Sequence, residues 1–167
     1  LPYRENEFDI VLSQYGHMFA PRPSIVVKEL ARVLKPGGIL AFSTWPKELF
    51  MGKFFKLIES FSQPLPPEVA SPVLWGDMAV IEDRLRDHFD HIDFARDTMF
   101  APTMSPAHML KLFEKNAGPL ANLVKALADD PTKLSNLRNA ALVLIEKFFS
   151  NNFLRQDFLM TRCVKKT

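Results

Sequence analysis

His17 is the residue whose type best suits proton chemistry, because an imidazole with an unperturbed pKa near 6.5 serves as a general base at neutral pH. It stands four residues after Ser13 and two after Tyr15, just beyond a short apolar run. Tyr15 is a second proton-carrying group in that stretch. For both, packing in the core or a solvent-facing ring is the competing reading. Asp87-His88-Phe89-Asp90-His91 places two histidines and two carboxylates within five positions, and on a helix His88 and His91 share a face, as metal ligands do. That segment falls where a helix should end and an edge strand begin, a usual place for solvated charge, so no metal site is assigned. His108 follows Ser105-Pro106 as a first-turn helix residue with no partner in view. Cys163 is the one cysteine, too few for an internal disulfide or a zinc cluster, and a reducing, cytoplasmic location is expected.

The composition sets the class of molecule that carries these groups. The chain has 167 residues, 47% hydrophobic and 24% charged, which suits one globular domain with a packed core. Twenty-one Lys and Arg against 19 Asp and Glu give a net charge of +2, with no single-sign field to recruit nucleic acid or an anionic membrane. No apolar run approaches the roughly 18 residues of a membrane span, and no secretory signal pattern is present.

The positioning elements follow from periodicity. Phe8-Asp9-Ile10-Val11-Leu12-Ser13 reads as a strand buried on both faces. Pro21 and Pro23 suit the start of a helix, in which Val26, Leu30, Val33 and Leu34 recur at helical spacing. Lys35-Pro36-Gly37-Gly38 supplies its stop: a cation for the C-terminal dipole, a residue that cannot extend the helix and a glycine for the left-handed cap. Ile39–Trp45 is a second apolar run. Strand, helix, strand in this order makes a crossover joining parallel neighbours of an α/β sheet. Beyond it we expect helices at 47–62 and 80–89, a proline-rich loop at 64–76, an edge strand at 91–100, helices from Ser105 to Phe149 broken at Gly118-Pro119 and before Pro131, and a final strand at 156–164.

The order Leu1-Pro2-Tyr3, Phe8–Ser13, Phe19-Ala20-Pro21, Glu29, Arg32-Val33-Leu34-Lys35-Pro36-Gly37-Gly38 and Trp45 resembles the C-terminal half of class I S-adenosylmethionine-dependent methyltransferases, in their ubiquinone-biosynthesis-like small-molecule branch. Leu74-Trp75-Gly76 and Arg84-Leu85 extend the resemblance more weakly. It implies a Rossmann-like doubly wound sheet, with residues 8–13 and 39–45 as its two parallel strands, a terminal antiparallel hairpin from 91–100 and 156–164, and a helical substrate cap between 47 and 150. One domain over 1–167 is expected, divided into a 1–48 core, 49–150 cap helices and edge strand, and a 151–167 terminal strand. The chain opens on Leu1-Pro2 without an initiating methionine, and the family's glycine-rich cofactor loop belongs before such a segment. The N-terminal strands are therefore expected to be absent from these residues, which alone should be inactive. Gly37-Gly38 ends a helix, so it cannot replace that loop.

The resemblance also assigns a site. S-adenosylmethionine is the implied cofactor, with Ser13, Gln14, Tyr15 and Gly16 beside its sulfonium and Leu1 and Pro2 flanking its adenine. Ligands of doubly wound sheets sit outside the C-terminal ends of the strands, where Ser13–Gly16 leaves the first strand. Methyl transfer is an in-line displacement that asks for close positioning inside a dry site, plus a base where the acceptor must lose a proton. His17 and Tyr15 are the candidate catalytic groups. Met18, Phe50, Phe54 and Trp75, with Phe55 and Met51, are candidate walls for a small apolar or aromatic acceptor, and core packing is the competing reading for each. The alternative function is a non-catalytic methyltransferase-like domain making oligomer or protein-partner contacts, with the edge of strand 8–13 open to another chain. A nicotinamide oxidoreductase fits Arg32–Gly38 and the Trp-ending strand less well.

Overall fold

The computed structural model describes residues 1–64, 66 and 69–167, and three residues of the expected 64–76 loop lie outside the described residues. The chain divides into two compact units. The first comprises Leu1–Pro46, Leu65–Asp97 and Phe158–Thr167, the second Lys47–Pro64 and Thr98–Asp157.

In the first unit, strand β1 (Phe8–Gln14) leads through a 3-10 turn (His17–Phe19) into helix α1 (Pro23–Val33), and strand β2 (Leu34–Thr44) follows directly. β1 and β2 pair in parallel with Ile10 opposite Ile39 and Ser13 opposite Phe42, so α1 is the expected crossover. Strand β5 (Phe153–Lys165) runs antiparallel to β2, with Phe42 opposite Thr161 and Thr44 opposite Leu159. Strand β3 (Phe89–Pro102) completes the order β1-β2-β5-β3, a mixed sheet with β1 at one edge. The expectation that β1 is buried on both faces is corrected by its exposure. Ile10 is 55% exposed and Leu12 75%, so the described residues leave the side of β1 that carries them largely uncovered.

The end of α1 also differs from expectation. Leu34 is already extended, so the helix stops before Lys35, and the glycines lie inside β2. Gly37 takes φ +75°, a conformation only glycine adopts freely, and the β1/β2 register shifts between Phe8 and Ile10. The buried face of α1 is Val27, Leu30, Ala31 and Val33, while Val26 is half-buried. A second 3-10 turn (Pro72–Gly76) precedes helix α3 (Met78–Leu85), which Asp77 caps by accepting from the Ala79 N–H. Helix α2 (Phe50–Phe61) belongs to the second unit.

That second unit packs α2 with helices α4 (Pro106–Asn116), α5 (Gly118–Ala126) and α6 (Pro131–Glu146). Gly118-Pro119 opens α5, and the Asp130 carboxylate accepts from the Lys133 N–H with Pro131 at the first helical position, so both breaks fall where the sequence puts them. A two-residue strand, β4 (Phe149–Ser150), turns through Asn151 and Asn152 into β5. Both asparagines have positive φ, 50° and 62°, as a tight hairpin turn demands. Among the described residues no helix is long and apolar enough to cross a membrane.

Candidate functional site

The C-terminal end of β1 carries the predicted residues. Ser13 and His17 meet there: the Ser13 Oγ accepts the His17 backbone N–H at 3.2 Å and lies 3.0 Å from His17 Nδ1. The 3-10 turn that begins at His17 folds the ring back over the strand end. It sits edge-on to Phe42 at 4.5 Å and to Trp75 at 4.6 Å between centroids, with 8% of the residue exposed. Burial, with a further contribution from the Arg84 guanidinium, lowers its pKa to about 4. The ring is therefore neutral at pH 7.

Tyr15 leaves the strand with φ +57°, a strained backbone for a tyrosine. Its N–H donates to the Ser43 carbonyl at 3.2 Å, and its ring stacks on Trp45 with centroids 3.9 Å apart and 7° between planes. Burial raises its phenol pKa against the opposing pull of a hydrogen bond to Ser43, so the hydroxyl keeps its proton at neutral pH. Met18 and Trp75 are each 1% exposed. Gly76 packs where a Cβ would fall on the Trp45 carbonyl, which fixes the second 3-10 turn under the end of β2.

A cavity of about 570 Å³ lies against β1 and α1. It is lined mainly by apolar side chains, with Leu1, Tyr3, Ser13, His17 and Glu29 among them. Arg32 holds the first residues there: its guanidinium donates to the Tyr3 carbonyl at 2.9 Å and the Leu1 carbonyl at 3.2 Å, and pairs with Glu29. The Arg32 hydrogen bond, with one from the Leu1 amino group, lowers the Glu29 pKa to about 2. The expected adenine-flanking residue Leu1 and the strand-end residue Ser13 thus share one cavity. Pro2, Gln14, Tyr15 and Gly16 do not line it.

Phe50 and Phe54, the other predicted acceptor walls, are 0% and 1% exposed in the second unit. There they form a ring cluster with Phe113, and Phe50 also meets Phe148. At the 87–91 segment, His91 has φ +50° and lies in β3, and His88 precedes that strand, so the two do not share a helix face. Among the described residues no group of three or more His, Cys, Asp or Glu is placed to hold a metal. His108 Nδ1 lies 2.9 Å from the Thr103 hydroxyl, in the second unit. Cys163 is buried with its thiol pushed up to about 12. Arg84 is the group that sequence reasoning missed. Its guanidinium lies 4.5 Å above the Trp75 ring, beside His17.

Comparison with known proteins defines the class. Residues 1–42, which carry β1, α1 and most of β2, match a family model described as a methyltransferase domain. The crystal structure of an S-adenosylmethionine-dependent methyltransferase from Thermotoga maritima aligns with a TM-score of 0.52 at 18% identity, over 99% of this chain and 60% of that one. The chain thus carries the class I S-adenosylmethionine-dependent methyltransferase fold, and its first 42 residues carry the methyltransferase sequence pattern. More particularly, it is 30% identical over 161 residues to an uncharacterized protein of Mycobacterium tuberculosis strain H37Rv, covering 96% of this chain and 59% of that protein. It is also 36% identical over 67 residues to the demethylmenaquinone methyltransferase of Staphylococcus saprophyticus, covering 39% and 29%. The chain spans about three fifths of the length of the mycobacterial relatives it matches.

Proposed function

We propose that the protein is an S-adenosylmethionine-dependent methyltransferase acting on a small apolar or aromatic acceptor. The observation that carries this reading is the methyltransferase match over residues 1–42 combined with the cavity that those residues line along β1 and α1. A volume of about 570 Å³ and largely apolar walls suit an adenosyl group, since ligand pockets typically run from about 300 to 1,000 Å³. Leu1 and Pro2 would flank the adenine, and Ser13, Gln14, Tyr15 and Gly16 would face the methionine end. When bound, the cofactor supplies an electrophilic methyl group. The chain's own residues exclude water and fix the approach.

His17 and Tyr15 act in this reading by position. A neutral His17 holds Ser13, and Tyr15, stacked on Trp45, walls the strand end. Met18 and Trp75 would back the acceptor. We assign turnover to a protein of the relatives' length and cofactor binding to the cavity of these 167 residues. Calorimetric titration with S-adenosylmethionine and S-adenosylhomocysteine tests this. Heat saturating with one equivalent supports the reading, and its absence up to millimolar ligand refutes it.

A second reading is favoured by the open edge of β1. Exposed Ile10 and Leu12 beside unpaired backbone suit strand addition by another chain. A methyltransferase-like domain used for oligomer or partner contacts would keep this edge and bind no cofactor, so the same titration separates the two.

A further inference from the structure

Five buried side-chain atoms lack a hydrogen-bond partner among the described residues: His17 Nε2, Thr44 Oγ1, Trp75 Nε1, Arg84 Nη1 and Thr161 Oγ1. Folded proteins leave few such atoms, and here all five gather on one side of the sheet. Thr161 is opposite Phe42 in the β2/β5 ladder, and Thr44 is two residues beyond Phe42, so both share the Phe42 face. The His17 and Trp75 rings pack on Phe42, and the Arg84 guanidinium lies on Trp75. His17 is 92% buried and Trp75 99%, so bulk solvent does not reach these groups.

The chemistry of the set is one-sided. Trp75 Nε1 and Arg84 Nη1 can only donate. The Ser13 hydroxyl already accepts the His17 N–H, so we assign its own proton to Nδ1, which puts the proton of the neutral ring on Nε2. Each threonine hydroxyl has a proton to give. The cluster's one formal charge is the positive guanidinium, whose half-buried state lowers its pKa through lost hydration. Three N–H groups, one of them on a guanidinium whose charged neighbour is Asp83, and two hydroxyls are complementary to a planar oxyanion.

We propose that this cluster binds a carboxylate carried by the methyl acceptor, making the substrate class a small aromatic acid. His17 belongs both to the cluster and to the cavity wall, so it joins the anion site to the methyl-transfer edge. The assignment of the carboxylate to the acceptor rests on the methyltransferase reading. The existence of the anion site does not.

Benzoate and its neutral isostere benzamide serve as probes, titrated into the protein while tryptophan fluorescence and the His17 side-chain NMR signals are followed. Benzoate is expected to bind at least tenfold more tightly than benzamide. That preference should vanish in Arg84→Gln and shrink severalfold in Trp75→Phe, which keeps the ring and deletes one N–H. Trp75→Phe also carries the test if Arg84→Gln fails to fold. Equal binding of the two probes, or a preference that survives both substitutions, overturns the proposal and leaves ordered water as the occupant. A parallel titration compares S-adenosylhomocysteine with 5′-methylthioadenosine, which lacks the amino-acid carboxylate. If Arg84→Gln weakens only the former, the donors hold the cofactor's carboxylate and the acceptor assignment falls. Benzoate preference without any adenosyl binding would keep the anion site and sink the methyltransferase reading.

Discussion

Ser13 and His17 are joined twice, by the His17 N–H donated to Ser13 Oγ at 3.2 Å and by the 3.0 Å contact between that oxygen and Nδ1. The pair locks the turn that follows β1, so the strand end and the ring move as one piece. Ser13→Ala strands a buried ring nitrogen and loosens a backbone N–H. A loss of about 1–2 kcal/mol is expected from groups left unsatisfied in this way, measured by urea denaturation. A loss below a few tenths of a kcal/mol would show that the contact positions nothing.

The same ring sets a pH dependence. His17 titrates near 4 when folded and near 6.5 when unfolded, so between these values the unfolded chain binds a proton that the folded chain refuses. Stability is complete above pH 6.5 and falls as pH drops through this window, by up to about 3 kcal/mol at its lower end. Glu29, lowered to about 2, releases its share only below the ordinary carboxylate range. His17→Phe should flatten the pH 4–6.5 portion of the stability curve and spare the more acidic limb. An unchanged slope would show that another group carries it.

Gly76 tests the packing beneath β2. Its absent side chain leaves room for the Trp45 carbonyl and the Pro46 backbone, so Gly76→Ala must displace main chain. Overpacking of this kind costs about 1–3 kcal/mol or more. Thermal unfolding should drop by several degrees, with Trp45 fluorescence reporting the shift. A variant as stable as the parent would mean that this approach is looser than described.

The exposed edge of β1 predicts self-association at high concentration. Leu12, 75% exposed, should support edge pairing, and Leu12→Lys should suppress it as charged edge residues do elsewhere. Sedimentation velocity of the two proteins across a concentration series checks this. Identical monomeric profiles would remove the second functional reading.

Much of the first unit was legible because its signals are local. The apolar runs at 8–13 and 39–45, with a proline-started helix between them, dictate a parallel crossover, and β1, α1 and β2 form it. Asp130 before Pro131 and the Asn151-Asn152 turn were equally readable, since each satisfies its own backbone. The exact end of α1 was not, because β2 pairing captures Leu34 before the glycines can cap the helix. The donor cluster was invisible for a different reason. Thr44, Trp75, Arg84 and Thr161 come from four separate elements, and only the sheet register and the packing of the two 3-10 turns bring them near His17. Phe50 and Phe54 read equally well as core and as acceptor walls, since stripe spacing is the same in both cases.

The central claim is that an adenosyl cofactor sits at the C-terminal end of β1, and backbone amide NMR during titration with S-adenosylhomocysteine tests it most directly. Saturable shifts confined to Tyr3 and Ser13–His17 are predicted. Amides there that stay fixed at saturating ligand, or shifts that map instead to the second unit, would contradict it.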